Sequence, residues 1–180
     1  GGLPQRAVRE WTRYMDKDLL SIQEARDLAH QAYEAQSVWG KASQEQVDRV
    51  CASMAEAGYQ ASDRLGRMAY EETGYGVSAH KKLKNEFASR TLWENIRDVK
   101  TVGVINQNAE KRIYEIAWPM GVIAALTPST NPTSTVFAKA ISAVKARDAI
   151  VFSPHPAAVN CSNEAAHILQ QAAENAGAPA

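Results

Sequence analysis

Two short stretches without a polar interruption stand out in the last third of the chain, residues 121–126 and 149–152, both carrying Val and Ile. Each runs into a polar loop that contains proline, the pattern of strands buried on both faces of a parallel sheet. Between them the period changes. Val136, Ala140, Ile141 and Val144 recur at helical spacing within residues 133–146. Strand, loop, helix, strand is a βαβ unit, and its crossover is expected to be right-handed.

Upstream the period is helical. Ser21-Ile22-Gln23-Glu24 has the form of a capping box, opening a helix with Ile22, Ala25, Leu28, Ala29, Ala32 and Tyr33 on one face. Ser43-Gln44-Glu45-Gln46 repeats the device. The helix behind it carries Val47, Val50, Met54, Ala57 and Ala61 as an apolar stripe and is expected to end at Thr73, with Gly74 as its stop. A third helix is predicted over residues 79–97, with Leu83, Phe87 and Ile96 turned inward and a basic start at Lys81, Lys82 and Lys84 that reads as a solvated face. Residues 100–105 and 112–118 then read as two strands joined by a polar turn at 106–110. A two-stranded ribbon is only marginally stable alone, so this one is expected to pack on a partner or on further chain.

Charge and cysteine usage narrow the class. Lys plus Arg total 20 and Asp plus Glu total 20, which removes the electrostatic reason to expect a nucleic-acid partner. No apolar run is long enough to span a membrane, and no secretory signal is visible. Cys51 and Cys161, with no paired framework, fit a reducing compartment. Cys51 lies on the stripe of the second helix and reads as a small core residue. Cys161 lies near the start of the helix after Pro156, where a helix N-terminus lowers a thiol pKa, but no base is placed beside it and the structural role is preferred. Glu164-x-x-His167 has the spacing of half a di-iron site; a single copy makes a surface pair, and no metal site is expected.

The candidate chemistry lies in the loop Thr127-Pro128-Ser129-Thr130-Asn131-Pro132, at the carboxyl end of a strand and just before a helix. Ligands of open α/β sheets bind there, and free helix N–H groups favour negative charge. Pro128 and Pro132 restrict the residues before them to extended backbone, so Asn131 is presented on a stiff loop. A fixed carboxamide is what a developing oxyanion requires. It is equally what a helix cap requires, and spacing does not choose between them.

The string Thr127-Pro128-Ser129-Thr130-Asn131-Pro132-Thr133-Ser134-Thr135, followed by Lys145-Ala146-Arg147-Asp148-Ala149-Ile150-Val151-Phe152-Ser153-Pro154-His155-Pro156, resembles the CoA-acylating aldehyde dehydrogenases. These include the aldehyde dehydrogenase part of bifunctional aldehyde-alcohol dehydrogenases and the enzymes of bacterial microcompartments. Upstream the likeness takes in Glu71-Glu72-Thr73-Gly74-Tyr75-Gly76, Lys84-Asn85-Glu86-Phe87-Ala88-Ser89 and Thr101-Val102-Gly103-Val104; downstream it reaches Ala176-Gly177-Ala178-Pro179. It implies an aldehyde dehydrogenase-like α/β fold: an N-terminal extension or tag at 1–20, a helical part of the cofactor-binding domain at 21–99, a β-ribbon oligomerisation arm at 100–118, and at 119–180 the first βαβα of a Rossmann-like NAD-binding domain, an incomplete parallel sheet.

The resemblance also implies a reaction, aldehyde, CoA and NAD to acyl-CoA and NADH, through a cysteine thiohemiacetal and a thioester. Asn131 matches the family's oxyanion asparagine. Thr127, Pro128, Ser129 and Thr130 match the loop beside the nicotinamide and pyrophosphate, and Ser153, Pro154 and His155 the loop beside the adenosine. Hydrolytic relatives carry Lys and Glu where Ser153 and Pro156 stand, which argues against a hydrolytic member and leaves NAD against NADP open. The basic run at Lys81 has contact with CoA phosphates as its second reading.

The family's nucleophilic cysteine is expected beyond Ala180, so the chain by itself is expected to be inactive; the alternative is a non-catalytic fragment acting in nucleotide binding or assembly. The second strand's outer edge is then expected to stay unpaired. Expected partners are a small aldehyde, CoA and further copies in a dimer or tetramer; helical spacing at Val8, Trp11 and Met15 reads first as a tag or a frayed first turn, with a peptide that docks to a microcompartment shell protein as the alternative. The expected location is the cytoplasm, including a bacterial microcompartment.

Overall fold

The computed structural model describes residues 16–179. Residues 1–15, on which the tag and its alternative, the shell-docking peptide, fall, lie outside them. Helix α1, Lys17–Trp39, starts ahead of the expected capping box. Ser21 sits inside it and donates from Oγ to the Lys17 carbonyl at 3.0 Å, a back-bond to the preceding turn rather than a cap. The expected start at residue 21 is therefore corrected. So is its inward face: Ile22 and Tyr33 are exposed, and Trp39 is the buried residue of the helix.

Helix α2, Gln44–Thr73, begins as the sequence predicts. Ser43 Oγ accepts from the Gln46 amide at 3.2 Å, and Gln46 Oε1 accepts from the Ser43 amide at 2.8 Å. At the other end Gly74 adopts φ 68° and its N–H returns to the Tyr70 carbonyl, which a residue with a side chain adopts only with strain. Val47, Val50, Cys51, Met54 and Leu65 of α2 form the centre of the core with Phe137, Ile141 and Leu169.

The third helical segment departs most from expectation. It consists of α3, Ser78–Glu86, one π-helical turn, Phe87–Thr91, and α4, Leu92–Ile96. Leu83 and Phe87, expected to point inward, are 61% and 67% exposed. Its buried stripe is polar instead: Lys81, Asn85 and Ser89, at successive i, i+4 positions. Helix α3 reaches α2 closely at Gly66, where an added Cβ would lie 2.9 Å from the Lys82 amide nitrogen.

Strands β1, Gly103–Asn108, and β2, Ile113–Ala117, form the antiparallel ribbon. The first runs further than expected and the turn is correspondingly shorter, with a register shift between Val104 and Asn106. The βαβ unit follows: β3, Val122–Thr127, α5, Pro132–Lys145, and β4, Ala149–Pro154, with β3 and β4 parallel from Val122 opposite Ala149 to Thr127 opposite Pro154. A 3-10 turn, Pro156–Ala158, leads into α6, Val159–Asn175. Among the described residues β3 and β4 pair only with each other, and β3 is buried on one face: Ala125 and Thr127 are enclosed while Leu126 is 74% exposed. No helix among these residues is long and apolar enough to cross a membrane.

The helices, ribbon and sheet meet at the turn between α5 and β4. Lys145, 3% exposed, donates to Asp48 of α2 and to the Arg97 carbonyl after α4, and its own carbonyl accepts from Thr101 Oγ1. Arg147 takes φ 66° and sends its guanidinium to the carbonyls of Gly40 at 2.8 Å and Ala117 at 3.0 Å. Asp148 accepts from the Gly121 amide at 2.8 Å, fixing the start of β3. In urea unfolding, Arg147→Ala should cost about 2–3 kcal/mol by stranding two carbonyls. Arg147→Gly should retain about 1 kcal/mol more, because glycine accepts positive φ.

Candidate active-site loop

Parallel pairing brings the loops after β3 and β4 to one edge. Thr127, at the end of β3, is 3% exposed, and its carbonyl accepts from the His155 amide at 2.9 Å. Its hydroxyl, buried, has no hydrogen-bond partner among the described residues. Pro128 and Thr130 are exposed and Ser129 is half-buried; Ser153, exposed, and Pro154, half-buried, are the last residues of β4 rather than part of the loop expected after it, and His155, exposed, follows. His155 Nδ1 accepts from the Ala157 amide at 3.1 Å, which caps the 3-10 turn.

Asn131 precedes α5 without capping it by side chain. Its carbonyl accepts from the Thr135 amide at 3.2 Å, Pro132 fills the first helical position, and no side-chain cap bond forms. The carboxamide turns toward α3, where Oδ1 accepts from Lys84 Nζ at 2.7 Å. An ammonium only donates, so Oδ1 must face it and Nδ2 is turned away. Nδ2 donates to Thr130 Oγ1 at 3.4 Å. Lys81 donates to the neighbouring Thr130 carbonyl at 2.9 Å. Burial, then the charge of Lys84, lowers the Lys81 pKa from its ordinary value.

Behind this grip runs a buried polar chain. Thr133 Oγ1 donates to Asn85 Oδ1 at 2.7 Å, Asn85 Nδ2 donates to the Ser62 carbonyl at 3.1 Å, and Ser89 Oγ donates to the Asn85 carbonyl at 2.7 Å. Each link is satisfied, so the chain ties α2, α3 and the first turn of α5 into one register. The reading of the basic run as a solvated face is thereby corrected for Lys81, which lies inside. Beside Asn131 opens a cleft of about 540 Å³, lined by Leu83, Phe87, Ala88, Thr135, Ala138 and Lys139 among others. The two lysines are the site residues that spacing did not reveal: the run Lys81-Lys82-Lys84 was visible, but the face it presents depends on Asn85 being buried.

Neither cysteine is available as a nucleophile. Burial raises the Cys51 thiol to about 12, with Lys145 opposing the shift. Cys161 also rises to about 12, through burial first and then Glu72. Glu72 of α2 occupies the N-terminus of α6, accepting from the amides of Asn160 at 2.8 Å and Cys161 at 2.7 Å. Burial works against the Glu72 carboxylate, but those hydrogen bonds outweigh it and hold its pKa below the usual value. Glu164 pairs with Arg64 at 2.7 Å, and no cluster of potential metal ligands occurs among the described residues.

A helical layer, a ribbon and a βαβ unit with a carboxamide fixed at the sheet's carboxyl edge define an α/β protein of aldehyde dehydrogenase type. The Aldehyde dehydrogenase family profile matches residues 11–180, and the chain belongs to that family. It is 40% identical over 159 residues to the bifunctional aldehyde-alcohol dehydrogenase AdhE of Escherichia coli K12, covering 88% of this chain and 18% of that protein. The acetylating aldehyde dehydrogenase of Geobacillus thermoglucosidasius superposes with a TM-score of 0.89 at 53% identity, over 91% of this chain and 36% of that one. A propionaldehyde dehydrogenase of Rhodopseudomonas palustris, solved with bound CoA and an acylated cysteine, superposes with a TM-score of 0.67 at 29% identity, over 84% and 34%. The chain thus spans between about a fifth and about a third of the length of these relatives.

Two measurements test this description. With Cys51 and Cys161 buried and their thiols shifted upward, a thiol reagent at pH 8 should label neither until the protein unfolds. Glu72 has its pKa lowered on folding, so its contribution is present above the ordinary carboxylate pKa and lost as pH falls through the lowered folded value. Glu72→Gln should therefore cost about 1 kcal/mol near pH 7 in denaturant unfolding, and the gap to the parent should shrink as pH falls below the ordinary carboxylate range and vanish below the lowered folded value.

Proposed function

We propose that the chain forms the amino-terminal part of a CoA-acylating aldehyde dehydrogenase, in which Asn131 supplies an oxyanion donor. The observation that carries this reading is the carboxamide itself. It is held through its oxygen by Lys84 rather than spent on capping α5, it lines an open cleft together with Lys84, and Nδ2, with one N–H on Thr130 Oγ1, keeps a second N–H to donate.

In the proposed reaction a cysteine thiolate supplied elsewhere in the enzyme attacks the aldehyde carbon, and the carbonyl electron pair moves to oxygen. Asn131 Nδ2 donates to that oxygen as its charge develops, where a preorganised donor needs no reorientation. The segments at residues 127–130 and 153–155 would hold a nicotinamide cofactor, which would supply the hydride acceptor needed for the hemithioacetal carbon to become a thioester on the cysteine. CoA thiolate then adds to the thioester and expels the cysteine, so the same donor serves a second oxyanion. The Rhodopseudomonas palustris relative, solved with bound CoA and an acylated cysteine, supports an acyl-cysteine that meets CoA.

Thr127, Pro128, Ser129 and Thr130, together with Ser153, Pro154 and His155, are assigned to cofactor contact. The residues fit such a group: the buried Thr127 hydroxyl lacks a partner among the described residues at the edge where both loops meet. The exposed Ile113, Tyr114 and Ile116 of the ribbon, with Trp118 just beyond it, support a homo-oligomer in which another copy covers them.

In the complete enzyme, Asn131→Ala should cost on the order of 3 kcal/mol in transition-state stabilisation, with KM for the aldehyde little changed. Single-turnover NADH formation reads the chemical step directly. An unaltered rate there would remove Asn131 from the mechanism.

A further inference from the structure

We infer that Lys84 is a positioning residue for Asn131, occupying the carboxamide oxygen so that the N–H end is the one left to donate, and polarising its N–H groups. The inference rests on the oxyanion role proposed above. A carboxamide torsion is soft and roughly two-fold, so backbone placement alone leaves an asparagine free to present oxygen or nitrogen. Presenting oxygen would set a partial negative charge against the developing oxyanion. Lys84 removes that choice, because its Nζ lies 2.7 Å from Oδ1 and has no acceptor capacity. A hydrogen bond to an ion is also stronger than a neutral one, and a cation on the amide oxygen draws density from the nitrogen, making Nδ2–H a better donor.

The geometry suits this task. The neighbouring Asn85 is 1% exposed and locked to Ser62 and Thr133, so the backbone that carries Lys84 is fixed relative to α5. The Thr130 carbonyl is gripped separately by Lys81. Removing Lys84 should therefore free the amide without freeing the loop. Lys84 is itself exposed, so its loss should leave global stability almost unchanged.

The experiment uses the complete enzyme with four variants: Lys84→Met, Lys84→Arg, Asn131→Ala and the double variant Lys84→Met with Asn131→Ala. Lys84→Met should lower kcat about tenfold, while KM for aldehyde, CoA and nicotinamide cofactor and the thermal unfolding midpoint stay at parental values. Lys84→Arg, which keeps a cationic donor, should recover most of the loss. In the Asn131→Ala background, which alone should cost about a hundredfold, Lys84→Met should have no further effect, since no amide remains to position. A merely structural role would instead add its loss in both backgrounds.

Parental kcat in Lys84→Met beside a large loss in Asn131→Ala would overturn the positioning role and leave the oxyanion role standing. Parental kcat in both would overturn both. A rise in KM for CoA or the nicotinamide cofactor at unchanged kcat would also overturn the inference, by making Lys84 a phosphate contact.

Discussion

The structure depends on the turn from Lys145 to Asp148. Its side chains leave α5 in different directions, and each ends on a group that would otherwise be stranded. Lys145 joins α2 to the end of α4, Arg147 joins the end of α1 to the ribbon, and Asp148 holds the start of β3. Arg147 adopts a positive φ, a backbone conformation that a side-chain-bearing residue avoids, and its two charge-assisted bonds to half-buried carbonyls offset that cost. Since α5 follows directly on Asn131 and ends at this turn, the place of the candidate loop follows from it.

At the other end of α5 the same economy of polar contacts recurs. Thr133, Asn85 and Ser62 connect three helices through buried, satisfied hydrogen bonds. Apolar packing alone is non-directional and tolerates small rotations of a helix; a carboxamide between two fixed partners does not. With α3 held in this rotation, Lys81 and Lys84 are delivered to consecutive loop residues. The π-helical turn from Phe87 to Thr91 follows directly and lets the helix pass from a polar inward stripe to the half-buried apolar residues of α4.

Much of this was legible where one local rule applied. The capping box at Ser43 and the stop at Gly74 involve groups within one turn of chain, so the residues alone specify them. The βαβ order followed from a change of period, and the family from strings whose roles the structure now displays: Glu72 caps α6, Asn85 anchors α5, and Lys145, Arg147 and Asp148 build the joint. Ser21 misled because the same hydroxyl serves equally as a cap or as a back-bond, and the choice depends on where the helix begins.

What the sequence by itself determined is the class of elements, their order, the family and the identity of the loop that carries Asn131. Only the tertiary structure decided which way that carboxamide points, which face of α3 is buried, and that both cysteine thiols are enclosed and unreactive. The physical reason is distance along the chain. Asn131 and Lys84 are 47 residues apart, and Cys161 and Glu72 are 89 apart. Local preferences cannot choose between a solvated lysine and one that clamps an amide; that choice is made by long-range packing, after Asn85 has found its partners inside.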